Sequence, residues 1–206
     1  EGVEIDEKIA ALSRQYFSLP DSVTVHVDDG RAFLTQAGQY DVIMVDAYQD
    51  ITIPFQMSSV EFFTAVKEHL KEDGAMVVNM NMRSAKEGSI NDYLTDTIAS
   101  VFPEVYTVID SGNTNMELFA SDNPGMVENL SEARSDMEDE KLQNLMTDVL
   151  SGLEKEEGNG RILTDDKAPV EVLGMRVIDE IIGSELDYYR EMFAGKSLEE
   201  ILELLG

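Results

Sequence analysis

Carboxylates recur wherever an apolar run stops in the first half of this sequence. Glu4 and Asp6 stand at the end of a short run beginning Gly2-Val3, Asp28 and Asp29 follow Val27, Asp46 closes a run that begins at Tyr40, and Asn79 sits late in a fourth. An ionised carboxylate is expensive to bury unless something is hydrogen-bonded to it, so each of these acids needs water or a ligand. An acid at the end of a nucleoside-binding strand accepts from both ribose hydroxyls, and Glu4 suits that task. Asp29, at the next strand end, suits an adenine amino group. Asp46 falls in the middle of the rim, where a carboxylate holds an amine or takes a proton from one. Asp and Gly also cap helices and shape turns, so the pattern alone leaves a purely structural role open for each. Tyr48 and Gln49 either line an acceptor pocket or simply form the loop after the strand.

Gathering these residues at one rim requires strands and helices in alternation, and the apolar periods supply it. Strands are expected over 2–5, 22–27, 40–46, from 75 onward, 105–109 and 116–121. Helices are expected over 7–17, with Ile9, Leu12 and Tyr16 on one side, and over 31–35, 58–70 and 89–101. Gly74 reads as the turn that ends the third of these helices. The run from Tyr40 to Asp46 is nearly all apolar, the mark of a central strand buried on both faces. Such alternation predicts an α/β fold with a mostly parallel sheet, whose ligands sit beyond the carboxyl ends of the strands. Residues 1–206 read as one domain, with an acidic helical segment over 124–160. Between Val127 and Glu157 ten residues are acidic and three basic, while Leu142, Leu145, Met146 and Val149 keep helical spacing. C-terminal helices follow over 177–193 and from a capping box at Ser197 to Glu200. Tyr188 and Tyr189 share helical spacing with Met192 and Phe193 and suit a core or subunit contact. A homo-oligomer is expected.

The net charge of −27 repels nucleic acid and anionic membrane surfaces and favours a cationic small-molecule substrate. With no cysteine there is no disulfide, thiolate nucleophile or Cys-based zinc site. His26 and His69 stand alone, and no metal is expected. No apolar run reaches the ~18 residues of a membrane span, and no basic start leads into an apolar core. A cytoplasmic domain without membrane contact is the expectation.

Five stretches in order, VEID from Val3, VDDGRAFL from Val27, YDVIMVDAY from Tyr40, IPFQMSSVEFF from Ile53 and LTDDKAPVE from Leu163, resemble the spermidine synthase-like family. The resemblance implies a Rossmann-like fold of the S-adenosylmethionine-dependent methyltransferase type. It also implies transfer of an aminopropyl group from decarboxylated S-adenosylmethionine to an amine acceptor. On it, Glu4 matches the ribose-binding glutamate and Asp29 the adenine-contacting acid, with Asp28 in place of a glycine. Asp46 matches the aspartate that deprotonates the attacking amine. Tyr48, Gln49 and Asn79 fall at acceptor positions. The sequence departs from the family in reading Asp46-Ala47-Tyr48-Gln49 rather than Asp-x-x-Asp, and in carrying Asn79 in place of glutamine. The family's tyrosine is also unmatched near Asp110 to Gly112. Methyl transfer from S-adenosylmethionine, or a nucleotide-binding scaffold without catalysis, are the alternatives. The family's first strand and glycine-rich loop, which should precede Glu4, are not in the sequence. That strand would lie between those ending at Glu4 and Asp46. These two should therefore not pair with each other, leaving a slot for an upstream segment or another chain.

Overall fold

A computed structural model of the chain describes residues 1–48, 53–80, 87–109 and 115–196. Strand β1 (Gly2–Glu4) pairs in parallel with β2 (Val25–Val27), placing Glu4 opposite Val27. Helix α1 (Glu7–Tyr16) connects them, and Asp6 caps it by accepting from the N–H groups of Lys8 and Ile9. The strand expected over 22–27 shortens to three residues. Its first part belongs to a turn, in which the Val23 N–H donates to the Pro20 carbonyl. Helix α2 (Gly30–Leu34) follows, capped by Asp29.

The second sheet comprises β3 (Tyr40–Val45), β4 (Leu70–Met80), β5 (Glu104–Ile109), β6 (Met116–Ser121) and β7 (Glu154–Lys155), in the order β3-β4-β6-β5-β7. A 3-10 turn at Phe55–Met57 and helix α3 (Val60–Glu68) carry the crossover between the parallel pair β3 and β4. Beyond β4 every pair is antiparallel, because β6 inserts between β4 and β5. The link from Ile109 to Met116 is too short for the parallel crossover, which needs a dozen or more residues.

Gly74 does not end α3. The helix stops at Glu68, and β4 already starts at Leu70. Gly74 lies inside the strand, where the register against β3 shifts between Tyr40 and Val42. A Cβ there would stand 3.0 Å from the carbonyl oxygens of both Lys71 and Tyr40, so the close backbone approach requires glycine.

The core gathers Phe62, Phe63 and Val66 of α3 with Met76, Val78 and Met80 of β4, and Leu118 of β6, opposite Val78, extends it onto the next strand. Ile98 of α4 (Ile90–Ala99) and Leu173 and Val177 of α7 (Val170–Phe193) complete it. Helix α7 starts well before the expected 177, straight after Pro169, whose fixed φ and missing N–H cost nothing there. Helices α5 (Met126–Ser135) and α6 (Glu140–Gly152) form the acidic cover, and neither contains a fully buried residue. The capping box at Ser197 lies outside the described residues.

Strands β1 and β3 sit in separate sheets and do not pair with each other, as the resemblance implies. What joins them is Glu1. The Tyr40 hydroxyl donates to one oxygen of its carboxylate, and His26 Nε2 lies 2.8 Å from the other. These contacts, the tyrosine's first, hold the Glu1 carboxyl below its usual pKa. Strand β3 is consequently not buried on both faces: Val45 is buried, but Val42 and Met44 are 54% and 71% exposed.

Candidate functional site

The expected acids fall into two groups at the carboxyl ends of the strands. In the first, β1 and β2 end side by side, with the Asp28 N–H donating to the Glu4 carbonyl at 3.2 Å. One carboxylate oxygen of Glu4 accepts from the Asp6 N–H at 2.8 Å. The Asp28 carboxylate accepts from the Asp29 N–H, also at 2.8 Å. Asp29 Oδ1 takes the N–H groups of both Arg31 and Ala32 at 2.9 Å, so the capping role and the site position coincide in one residue. Its Oδ2 makes neither bond. Glu4, Asp28 and Asp29 are all half-buried, which suits acids that hold a ligand at a rim.

The second group surrounds Asn79. Its side-chain amide donates to Asp46 Oδ1 at 3.1 Å. Its carbonyl oxygen at the other end of the amide accepts from Asn115 Nδ2, again at 3.1 Å. The Tyr48 hydroxyl donates to the Asn79 backbone carbonyl. The exposed Asp46 carboxylate is therefore held by one oxygen and free to turn the other outward. Gln49 lies outside the described residues. Nothing in the sequence marks Asn115: it is one of two asparagines just before a strand, brought into line by the β4–β6 pairing.

Between the two groups is a hollow of about 530 Å³ lined by Val3, Gly30, Phe33, Met44 and Asp46 among others. Asp46 itself faces it. Glu4 and Asp29 do not line it, although their chain neighbours Val3 and Gly30 do. Behind the first group, Arg31 forms a two-pronged ion pair with Asp165 at 2.7 Å for each bond. Arg31 also reaches the Gln56 carbonyl at 2.9 Å. The Ser59 hydroxyl donates to Asp165 at 2.6 Å. Arginine and serine together pull the Asp165 pKa down to about 2. Both partners lie in sequence motifs noted above, but their pairing across the chain is not readable from either motif. Among the described residues, no group of three or more His, Asp or Glu side chains could hold a metal ion. His69 instead bonds the Ala65 carbonyl, one turn back along its own chain.

One helix-linked parallel pair in each sheet, with acids at the strand tips, makes an α/β domain of the Rossmann-like methyltransferase type. The chain belongs to the spermine/spermidine synthase family: residues 1–122 match the model of the spermine/spermidine synthase domain. It is 48% identical, over 98% of its length, to a probable polyamine aminopropyl transferase from Bifidobacterium longum. It spans 49% of the length of that relative. Two solved structures share the fold. A spermidine synthase in complex with the transition-state analogue AdoDATO matches at TM-score 0.55 and 18% identity, over 67% of this chain and 52% of that one. Human methyltransferase-like protein 13 in complex with SAH matches at TM-score 0.53 and 23% identity, over 72% of this chain and 67% of that one. No helix among the described residues is long and apolar enough to cross a membrane.

Proposed function

We propose that the protein containing these residues moves an aminopropyl group from decarboxylated S-adenosylmethionine to a small cationic amine. In this reading Glu4 holds the ribose hydroxyls and Asp29, with Asp28 beside it, the adenine. Asp46 receives a proton from the amine. The amine nitrogen attacks the methylene beside the sulfonium, the nitrogen–carbon bond forms, and the carbon–sulfur bond breaks with its electron pair left on sulfur. Methylthioadenosine departs neutral. Asp46, Tyr48 and Asn79 line the acceptor side. The protein's share is mostly to align the two reactants and accept the proton.

One observation carries this reading: Asp46 is held by the Asn79 amide on the wall of the hollow that separates it from the acids of β1 and β2. Family membership and the negative field support it, since both reactants are cationic. The test is turnover and nucleoside binding in the intact protein. Asp46→Asn keeps the shape but cannot take a proton, so turnover should vanish while methylthioadenosine affinity stays within about twofold of wild type. Glu4→Ala should weaken that affinity by about 1 to 3 kcal/mol. Full turnover by Asp46→Asn would discard the proposed base. Nucleoside binding without transfer to any amine would instead favour a scaffold role.

A further inference from the structure

Helix α7 carries two apolar faces. One, with Val170, Leu173 and Val177, is buried in the core. The other runs through Val172, Met175, Asp179, Ile182, Leu186, Tyr189 and Phe193, spaced alternately three and four residues apart. Val172, Met175, Ile182, Leu186 and Tyr189 are between 43% and 59% exposed. At 100° per residue these two stripes lie on nearly opposite sides of the helix, so the domain that buries the first cannot bury the second. An alternating three–four apolar repeat is the seam of a two-stranded coiled coil, and here it runs about 33 Å.

The charges beside the seam indicate what covers it. The only basic residues of α7, Arg176 and Arg190, both fall on one flank, while Glu171 and Glu185 fall on the other, each five positions before an arginine. In a parallel pair of helices that spacing sets Glu171 of one copy against Arg176 of the next, and Glu185 against Arg190. An antiparallel pair would instead set glutamate against glutamate and arginine against arginine. Within its own helix Arg190 reaches Asp187 at 3.2 Å, an exposed contact that competes weakly. Asp179 is the one polar residue in the seam. It faces its own copy in the parallel arrangement, which weakens the pair but fixes its register.

We propose that the solvent face of α7 is a self-association surface, on which two copies of this chain pair in parallel about a two-fold axis. Sedimentation of the chain across the micromolar range tests it. Salt at 0.15 M screens the repulsion between two acidic bodies beyond about 8 Å. A concentration-dependent dimer is expected. Leu186→Asp should raise its Kd on the order of a hundredfold, since it buries a carboxylate in an apolar layer. Asp179→Leu should tighten it by about tenfold or more. Arg190→Glu should weaken it, and adding Glu185→Arg should restore it. All four side chains are exposed, so unchanged far-ultraviolet circular dichroism at concentrations where each variant is monomeric confirms that it is folded. A chain that stays monomeric throughout, or a dimer indifferent to Leu186→Asp and to the charge exchange, overturns the proposal. So does a chain that dimerises only once residues 197–206 are removed, because the stripe is then covered from within.

Discussion

Asp46 is held as a site residue should be, by a neighbour whose own position is fixed. Asn79 reaches it from the adjacent strand, and Asn115 steadies Asn79 from the residue just before the strand beyond. Asp46 and Asn79 could be read from the sequence because one ends an apolar run and the other interrupts the end of the next. Asn115 could not, since its place depends on which strands pair. The same holds for Asp165, whose partner Arg31 lies far off in the chain. That pair makes a pH prediction. The folded Asp165 pKa is depressed to about 2 from an ordinary 3.8, so its contribution to stability is present above the ordinary value and is lost as pH falls toward 2. Its carboxylate is 42% open to solvent, so the contribution is modest. Denaturant titrations between pH 2 and 6 should show a flatter decline for Asp165→Asn than for wild type. Parallel curves would mean the pair contributes nothing to the acid response.

Among the elements, α4 and the chain after α6 are locked by one buried carboxylate. Asp96, 3% exposed, accepts from the N–H groups of Asn159 and Arg161 at 3.0 and 3.1 Å and from the Arg161 guanidinium at 3.4 Å. Asp96→Ala leaves both N–H groups unpartnered and should lower unfolding stability by about 2 to 4 kcal/mol, as measured by urea titration. A loss within error would mean water replaces the carboxylate. Sequence periodicity located most of these elements, because their apolar spacing follows from the faces they bury. It missed the early start of β4, where Lys71 to Asp73 are polar and strand geometry is imposed by pairing with β3. It missed the first turns of α7 because Pro169 and the preceding Thr164–Lys167 bridge read as a loop. It also read β3 as central: the apolar run is real, but half of it faces the slot side of the molecule and is not covered by the described residues.

For the whole molecule, the two sheets differ in how they are held. The sheet from β3 to β7 is backed by α3, α4 and α7, whereas α1 has no buried residue and β1 and β2 are three residues each. Amide exchange should therefore be fast throughout residues 2–27 and slow in β4 and β6, in line with the number of apolar groups packed over each. Equal protection in both would show that the smaller sheet is held more firmly than its packing implies. The acidic cover of α5 and α6 has a colloidal consequence. Far from neutral in net charge, copies of this chain repel one another at pH 7, and that repulsion vanishes near the isoelectric point of about 4.1, where solubility should be lowest.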